Sequence, residues 1–123
     1  MKYKYSYLFL LVFAFLSCNQ LDSSLLIGYW KGDQLIEKGV DKGAKLVEFS
    51  FNDNGVYTYQ NSYYKEAGYY RISENKLYTK DSTREDALEK VVRISFLTND
   101  TMHLEMNAKG IPQVLKCVKV KAE

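Results

Sequence analysis

The chain has 123 residues, enough for one domain and no more, and its seventeen basic side chains, less Lys2 and Lys4 in the leading segment, leave fifteen against fifteen acidic ones. A near-neutral chain without a basic run lacks the clustered positive face that nucleic acid requires. Eleven Tyr, six Phe and one Trp against a single Pro favour strands over helices.

Residues 1–18, MKYKYSYLFLLVFAFLSC, begin with two lysines and run apolar from Tyr7 to Leu16 before the small Ser17. That is the layout of a secretory signal peptide, and about ten apolar residues is half of what a spanning helix needs. Cys18 after Phe15-Leu16-Ser17 resembles the lipobox of bacterial lipoproteins. The resemblance implies a signal peptide over 1–17, diacylglycerol on the Cys18 sulfur, acylation of its new amine and a membrane anchor of several chains. Asn19, where an Asp would signal retention, implies an outer-membrane location in the cell envelope. Residues 18–24 then form a lipid-anchored tether, and 25–123 the folded domain.

Leu25 to Glu37 reads as a first strand in which Gly28 and Gly32 allow a bend or a close approach of another backbone. Gly39 to Lys45 is a turn region. In LVEFSFNDNGVYTY, residues 46–59, Val47, Phe49 and Phe51 alternate with Glu48 and Ser50, and Asp53-Asn54-Gly55 supplies a turn. A three-residue loop with Gly55 left-handed sets Phe51 opposite Tyr57 and Phe49 opposite Tyr59, stacking four rings on one face. A two-residue Asn54-Gly55 turn would instead put Thr58 opposite Phe51.

Asn61 to Glu66 reads as a polar loop, followed by a hairpin of Ala67–Ser73 and Lys76–Lys80. Its Glu74-Asn75 turn pairs Ile72 with Leu77 and Tyr70 with Thr79 inside, and Arg71 with Tyr78 outside. Ser82-Thr83-Arg84-Glu85 fits a capping box, so one short helical turn near 82–89 and a charged loop are both open. Val92, Ile94 and Phe96 alternate, as do Met102, Leu104 and Met106, and an odd-length loop such as Asn99-Asp100-Thr101 puts both sets on one face. Gln113 to Lys121 is the last strand, following the turn Lys109-Gly110-Ile111-Pro112. Either Leu115 and Cys117 or Val114, Val118 and Val120 face inward, with a bulge expected.

About eight short strands and no covering helix point to an all-β fold, an antiparallel up-and-down β-barrel that closes to remove its edges. A two-sheet sandwich is the other outcome. Ile27-Gly28-Tyr29-Trp30 resembles the lipocalin and calycin opening, Gly-x-Trp, and FNDNGVYTY, GYYRISENKL and ISFLTNDTMHLE resemble the bacterial lipocalin-like domain found in small lipoproteins. The resemblance implies that Trp30 plugs one barrel end, with Gly28 allowing close approach. The last strand has no Arg to stack on that Trp, so Lys116, Lys119 or Lys121 would substitute.

His103 stands alone beside Glu105 on an outer face, which gives no metal site, and Cys117 has no histidine on its strand. No nucleophile, base and orienter assemble, and no phosphate loop is present, so neither an enzyme nor a cofactor is expected. The expected function is binding of a small apolar or amphipathic ligand in the barrel by Phe49, Phe51, Tyr57, Tyr59, Tyr70, Ile72, Phe96, Leu104 and Met106. The alternative is an interaction module in which exposed Tyr63, Tyr64 and Tyr69 dock a protein or a glycan.

Overall fold

A computed structural model of the chain describes residues 21–44 and 46–121. The leader over 1–17 and the lipidation site Cys18 lie outside the described residues. The described residues begin with a 3-10 turn, Ser23–Leu26, capped by Asp22, whose carboxylate accepts from the Ser24 amide. Nine strands follow: β1 Gly28–Glu37, β2 Val40–Asp41, β3 Glu48–Phe51, β4 Val56–Gln60, β5 Lys65–Ser73, β6 Lys76–Asp81, β7 Lys90–Leu97, β8 Thr101–Ala108 and β9 Ile111–Val120. Eight of them form a closed antiparallel barrel in which β1 pairs with β3 on one side and with β9 on the other, while β2 adds to the far half of β1.

The first strand is shorter than its apolar run suggests. Leu25 and Leu26 go into the 3-10 turn, where Leu26 is fully buried, while Ser23 and Ser24 form the exposed first half of that turn. Gly28 then turns the chain at φ +140, a conformation that disfavours any Cβ. At Asp33 a bulge shifts the β1–β9 register, after which Leu35 pairs with Leu115. This bulge lies on β1, so β9 runs without interruption and settles its own ambiguity: Leu115 and Cys117 are buried, Val118 and Val120 exposed. The loop before β3 crosses close to β1, with the Gly32 amide donating to the Val47 carbonyl at 2.8 Å and Ala44 buried beneath it. A Cβ on Gly32 would come 2.6 Å from the Ala44 carbonyl oxygen, so this approach requires glycine.

The hairpin of β3 and β4 takes the three-residue loop. Gly55 is left-handed, and Phe51 faces Tyr57 and Phe49 faces Tyr59. Phe49 lies 4.9 Å from the Tyr59 ring and stacks 5.6 Å from Phe51. The Glu74-Asn75 turn also forms as two residues, both with positive φ, which matches the twist of the flanking strands. Arg71 stacks over the outward Tyr78 at 3.8 Å.

Residues 82–89 contain no helix. Asp81, not Ser82, acts as the local cap: its carboxylate accepts from the Thr83 amide at 2.9 Å and from the Thr83 hydroxyl at 2.6 Å. The Ser82 hydroxyl instead donates to the Ala67 carbonyl, so the capping-box pairing with Glu85 is replaced by a bond across to β5.

Between β7 and β8 the expected odd loop is absent. The Thr98 amide bonds the Thr101 carbonyl around a short Asn99-Asp100 turn, and a bulge at Ser95 changes the parity instead. Ile94 faces Leu104 inside, whereas Phe96 is turned out against His103, their rings 5.0 Å apart. Leu97 takes the inward place opposite Met102.

Candidate functional site

The two ends of the barrel are built differently. At one end the turns of β3–β4, β5–β6 and β7–β8 meet the 3-10 turn, and Trp30, Leu26, Phe51 and Met102 fill the interior with at most 1 % exposure. The Trp30 indole N–H donates to the Leu26 carbonyl at 2.8 Å. Lys119, from β9, puts its ammonium 4.9 Å from the Trp30 ring centroid and donates to the Leu25 carbonyl at 2.8 Å. Tyr70 packs edge-on against Phe51 at 5.1 Å and donates its hydroxyl to the Asn52 carbonyl. This end is solid.

Toward the other end the interior is hollow. A cavity of about 250 Å³ is lined by apolar residues of seven barrel strands, among them Leu35, Phe49, Tyr57, Leu77, Val92 and Leu104, with Met106 and Leu115 beside them. Gly43, Ala44 and Val47 of the crossing loop form one wall, and Tyr64, Glu66 and Lys90 contribute its polar groups. An enclosed apolar void of roughly 150 Å³ suffices for benzene, so this one has room for a somewhat larger apolar body. It lies just under the roughly 300–1,000 Å³ of drug-sized pockets.

Of the residues the sequence nominates, Phe49, Tyr57, Tyr59, Leu104 and Met106 line the cavity. Phe51 and Tyr70 belong to the solid end, and Ile72 packs on the core away from the void. Phe96 is corrected outright: it is 46 % exposed on the outer wall, because the Ser95 bulge reverses its side. The exposed tyrosines do not form one surface. Tyr63 is 92 % exposed in the β4–β5 loop, Tyr64 stands at the cavity, and Tyr69 is on the outer wall, five residues and about 16 Å of extended chain beyond Tyr64.

The polar groups of the cavity are the part that the sequence hides. Glu66 is the second residue of β5 instead of the end of a loop, and β5 parity turns it inward opposite Tyr59, leaving its side chain 6 % exposed. Its carboxylate accepts from the Tyr57 hydroxyl at 2.8 Å and from the Lys90 ammonium at 3.1 Å. Burial, reinforced by this carboxylate, pushes the Tyr57 phenol well above its ordinary pKa. Burial pulls the Lys90 ammonium down, but the hydrogen bond and charge of Glu66 more than offset it, and its pKa ends above the usual lysine value. A Glu ahead of an Ala-Gly-Tyr-Tyr run carries one sequence signal for this, the strand parity that also places Gly68 and Tyr70 inside.

No group of three or more His, Cys, Asp or Glu side chains that would hold a metal occurs among the described residues. His103 lies on the outer wall, where burial against Phe96 and the nearby Lys116 lower its pKa. Cys117 is a free, fully buried thiol whose pKa burial pushes up to about 12, the opposite of a reactive cysteine.

A family model described as a lipocalin-like domain matches residues 26–104. No curated protein matches the chain. Among solved structures, a lipocalin-like protein from Bacteroides uniformis ATCC 8492 superposes with a TM-score of 0.61 at 13 % identity, covering 78 % of this chain and 99 % of that one. An uncharacterized protein from Bacteroides eggerthii DSM 20697 gives a TM-score of 0.59 at 16 % identity over 76 % of this chain and 98 % of that one. At such identities the likeness carries the fold alone. With the family model running from Leu26 at the end of the 3-10 turn, through the Trp30 plug, to the middle of β8, this chain belongs to the lipocalin-like domain family.

Proposed function

We propose that this chain is a lipid-anchored cell-envelope protein whose barrel binds a small apolar or amphipathic molecule without transforming it. The observation that carries the reading is the asymmetry of the interior. One end is packed solid around Trp30, and the other holds a void of about 250 Å³ with apolar walls and a polar cluster. Apolar walls supply most of the affinity of such sites, and a few fixed polar groups orient the ligand. Anchoring rests on Cys18 at the end of the apolar leader, followed by Asn19, which favours the outer membrane. With no strongly activated nucleophile in or near the cavity among the described residues, a binding role suits it better than a catalytic one.

The test of the cavity is a titration of the purified protein with 1-octanol, followed by methyl resonances. Shifts concentrated on Leu35, Val92, Leu104 and Met106 are expected; unmoved methyls at saturating octanol would refute a ligand cavity. Native mass spectrometry of protein taken from its own envelope then identifies what it carries. Incorporation of labelled palmitate into the wild type and not into Cys18→Ser tests the anchor separately.

A further inference from the structure

Glu66 is a carboxylate taken almost completely out of water, and a buried carboxylate is costly unless a cation and hydrogen bonds attend it. Its cation is Lys90, a long side chain that is itself 51 % exposed and reaches in from the start of β7. Lys90 Nζ sits 3.1 Å from Glu66 Oε1 and 5.9 Å from the centroid of the Tyr64 ring, which in turn packs 5.7 Å from Tyr59. A primary ammonium on an alkyl stem is therefore already accommodated between a carboxylate and a phenol face, beside an apolar void.

Resting on the ligand-binding reading above, we infer that the cavity takes an amphiphile with a primary ammonium, whose head replaces Lys90 Nζ on Glu66 beside Tyr64 and whose apolar body fills the void. The exchange conserves charge. Lys90 returns to water, where an ammonium is well hydrated, and Glu66 keeps a cation. An anionic head would enter beside Glu66 and add a second negative charge to a nearly dry site. A hydroxyl head would leave Lys90 in place and gain no charge-assisted bond. Lys90 acts in this reading as a tethered competitor, which lowers the apparent affinity for the free ligand in proportion to its own occupancy.

Calorimetric titration of the full chain at neutral pH with 1-octylamine, 1-octanol and octanoate tests this. Octylamine is expected to bind at least about tenfold tighter than octanol, the scale of one charge-assisted hydrogen bond. Glu66→Gln should erase that preference while octanol still binds, and Lys90→Met should tighten octylamine further by removing the competitor. Octanoate binding tightest, and lost in Lys90→Met, would overturn the inference in favour of an anion held by Lys90. Equal binding of octanol and octylamine would overturn it and leave the apolar cavity standing, whereas binding of none of the three would overturn both. Should either variant fail to fold, the ranking of the three compounds on the wild type decides alone.

Discussion

The Lys119 ammonium lies over the Trp30 indole, 4.9 Å from its centroid, and the same ammonium donates to the Leu25 carbonyl at 2.8 Å. One side chain of the last strand thus fastens both the plug and the 3-10 turn that covers it. Of the three lysines that the sequence offers for this role, Lys116 has the wrong parity and Lys121, which shares the parity of Leu115 and Cys117, lies past the end of β9, whereas Lys119 is paired with Trp30 itself. Lys119→Met keeps the apolar stem and loses both interactions, so a loss of about 1–2 kcal/mol is expected in urea unfolding. Lys119→Arg should recover most of it.

Gly68 is the position least tolerant of a side chain. A Cβ there would lie 1.9 Å from the Lys80 carbonyl oxygen and 2.9 Å from the Ser82 amide nitrogen, both backbone atoms that cannot swing aside. Gly68→Ala is expected to cost at least about 3 kcal/mol, beyond ordinary overpacking. Gly43→Ala meets nothing within 4 Å and is strained only by its φ of +87, so it should cost roughly 1–2 kcal/mol. Thermal unfolding of the pair separates a steric from a conformational demand; equal losses would contradict the close β5–β6 approach.

The Ser95 bulge makes a prediction opposite to simple alternation. Leu97→Asp places a charge against the core opposite Met102 and is expected to cost at least about 3 kcal/mol. Phe96→Asp alters the outer wall, where surface changes usually amount to less than about 1 kcal/mol. Denaturant midpoints of the two variants check it, and the reverse ranking would remove the bulge.

Stability should also fall on the alkaline side. Tyr57 and Lys90 both have folded-state pKa values raised above their unfolded ones, through burial of the phenol and through the Glu66 carboxylate on the ammonium. A raised pKa contributes stability that is complete below the unfolded value and is lost as pH rises through the folded value, here beginning above about pH 10. Urea unfolding as a function of pH should show that decline, and Tyr57→Phe should flatten it while costing about 1–3 kcal/mol at neutral pH. An unchanged alkaline slope in Tyr57→Phe would remove the phenol from the account.

The paired strands and their turns were legible in the sequence wherever the information is local. Phe49 and Phe51 alternate with polar neighbours, Gly55 permits a left-handed residue, and Glu74-Asn75 sits midway between Ile72 and Leu77, so both registers follow from parity and loop length. The cavity was half legible, because alternation names inward residues without saying how far along the barrel each one sits. Phe51 and Phe49 share a face, yet one is wedged near the plug and the other lines the void.

By itself the sequence determined the all-β class, the hairpins and the greasy interior, since each depends on neighbours a few residues apart, and it favoured a barrel over a sandwich without fixing the β1–β9 pairing that closes it. The tertiary structure alone decided three things: the bulges at Asp33 and Ser95, the choice of Lys119 over its fellow lysines, and the meeting of Glu66 with Lys90 across twenty-four residues. The physical reason is closure. When the last strand returns to the first, the ring must absorb its register mismatch somewhere, and only the assembled barrel fixes where the extra residue goes and which distant side chains then share the inside.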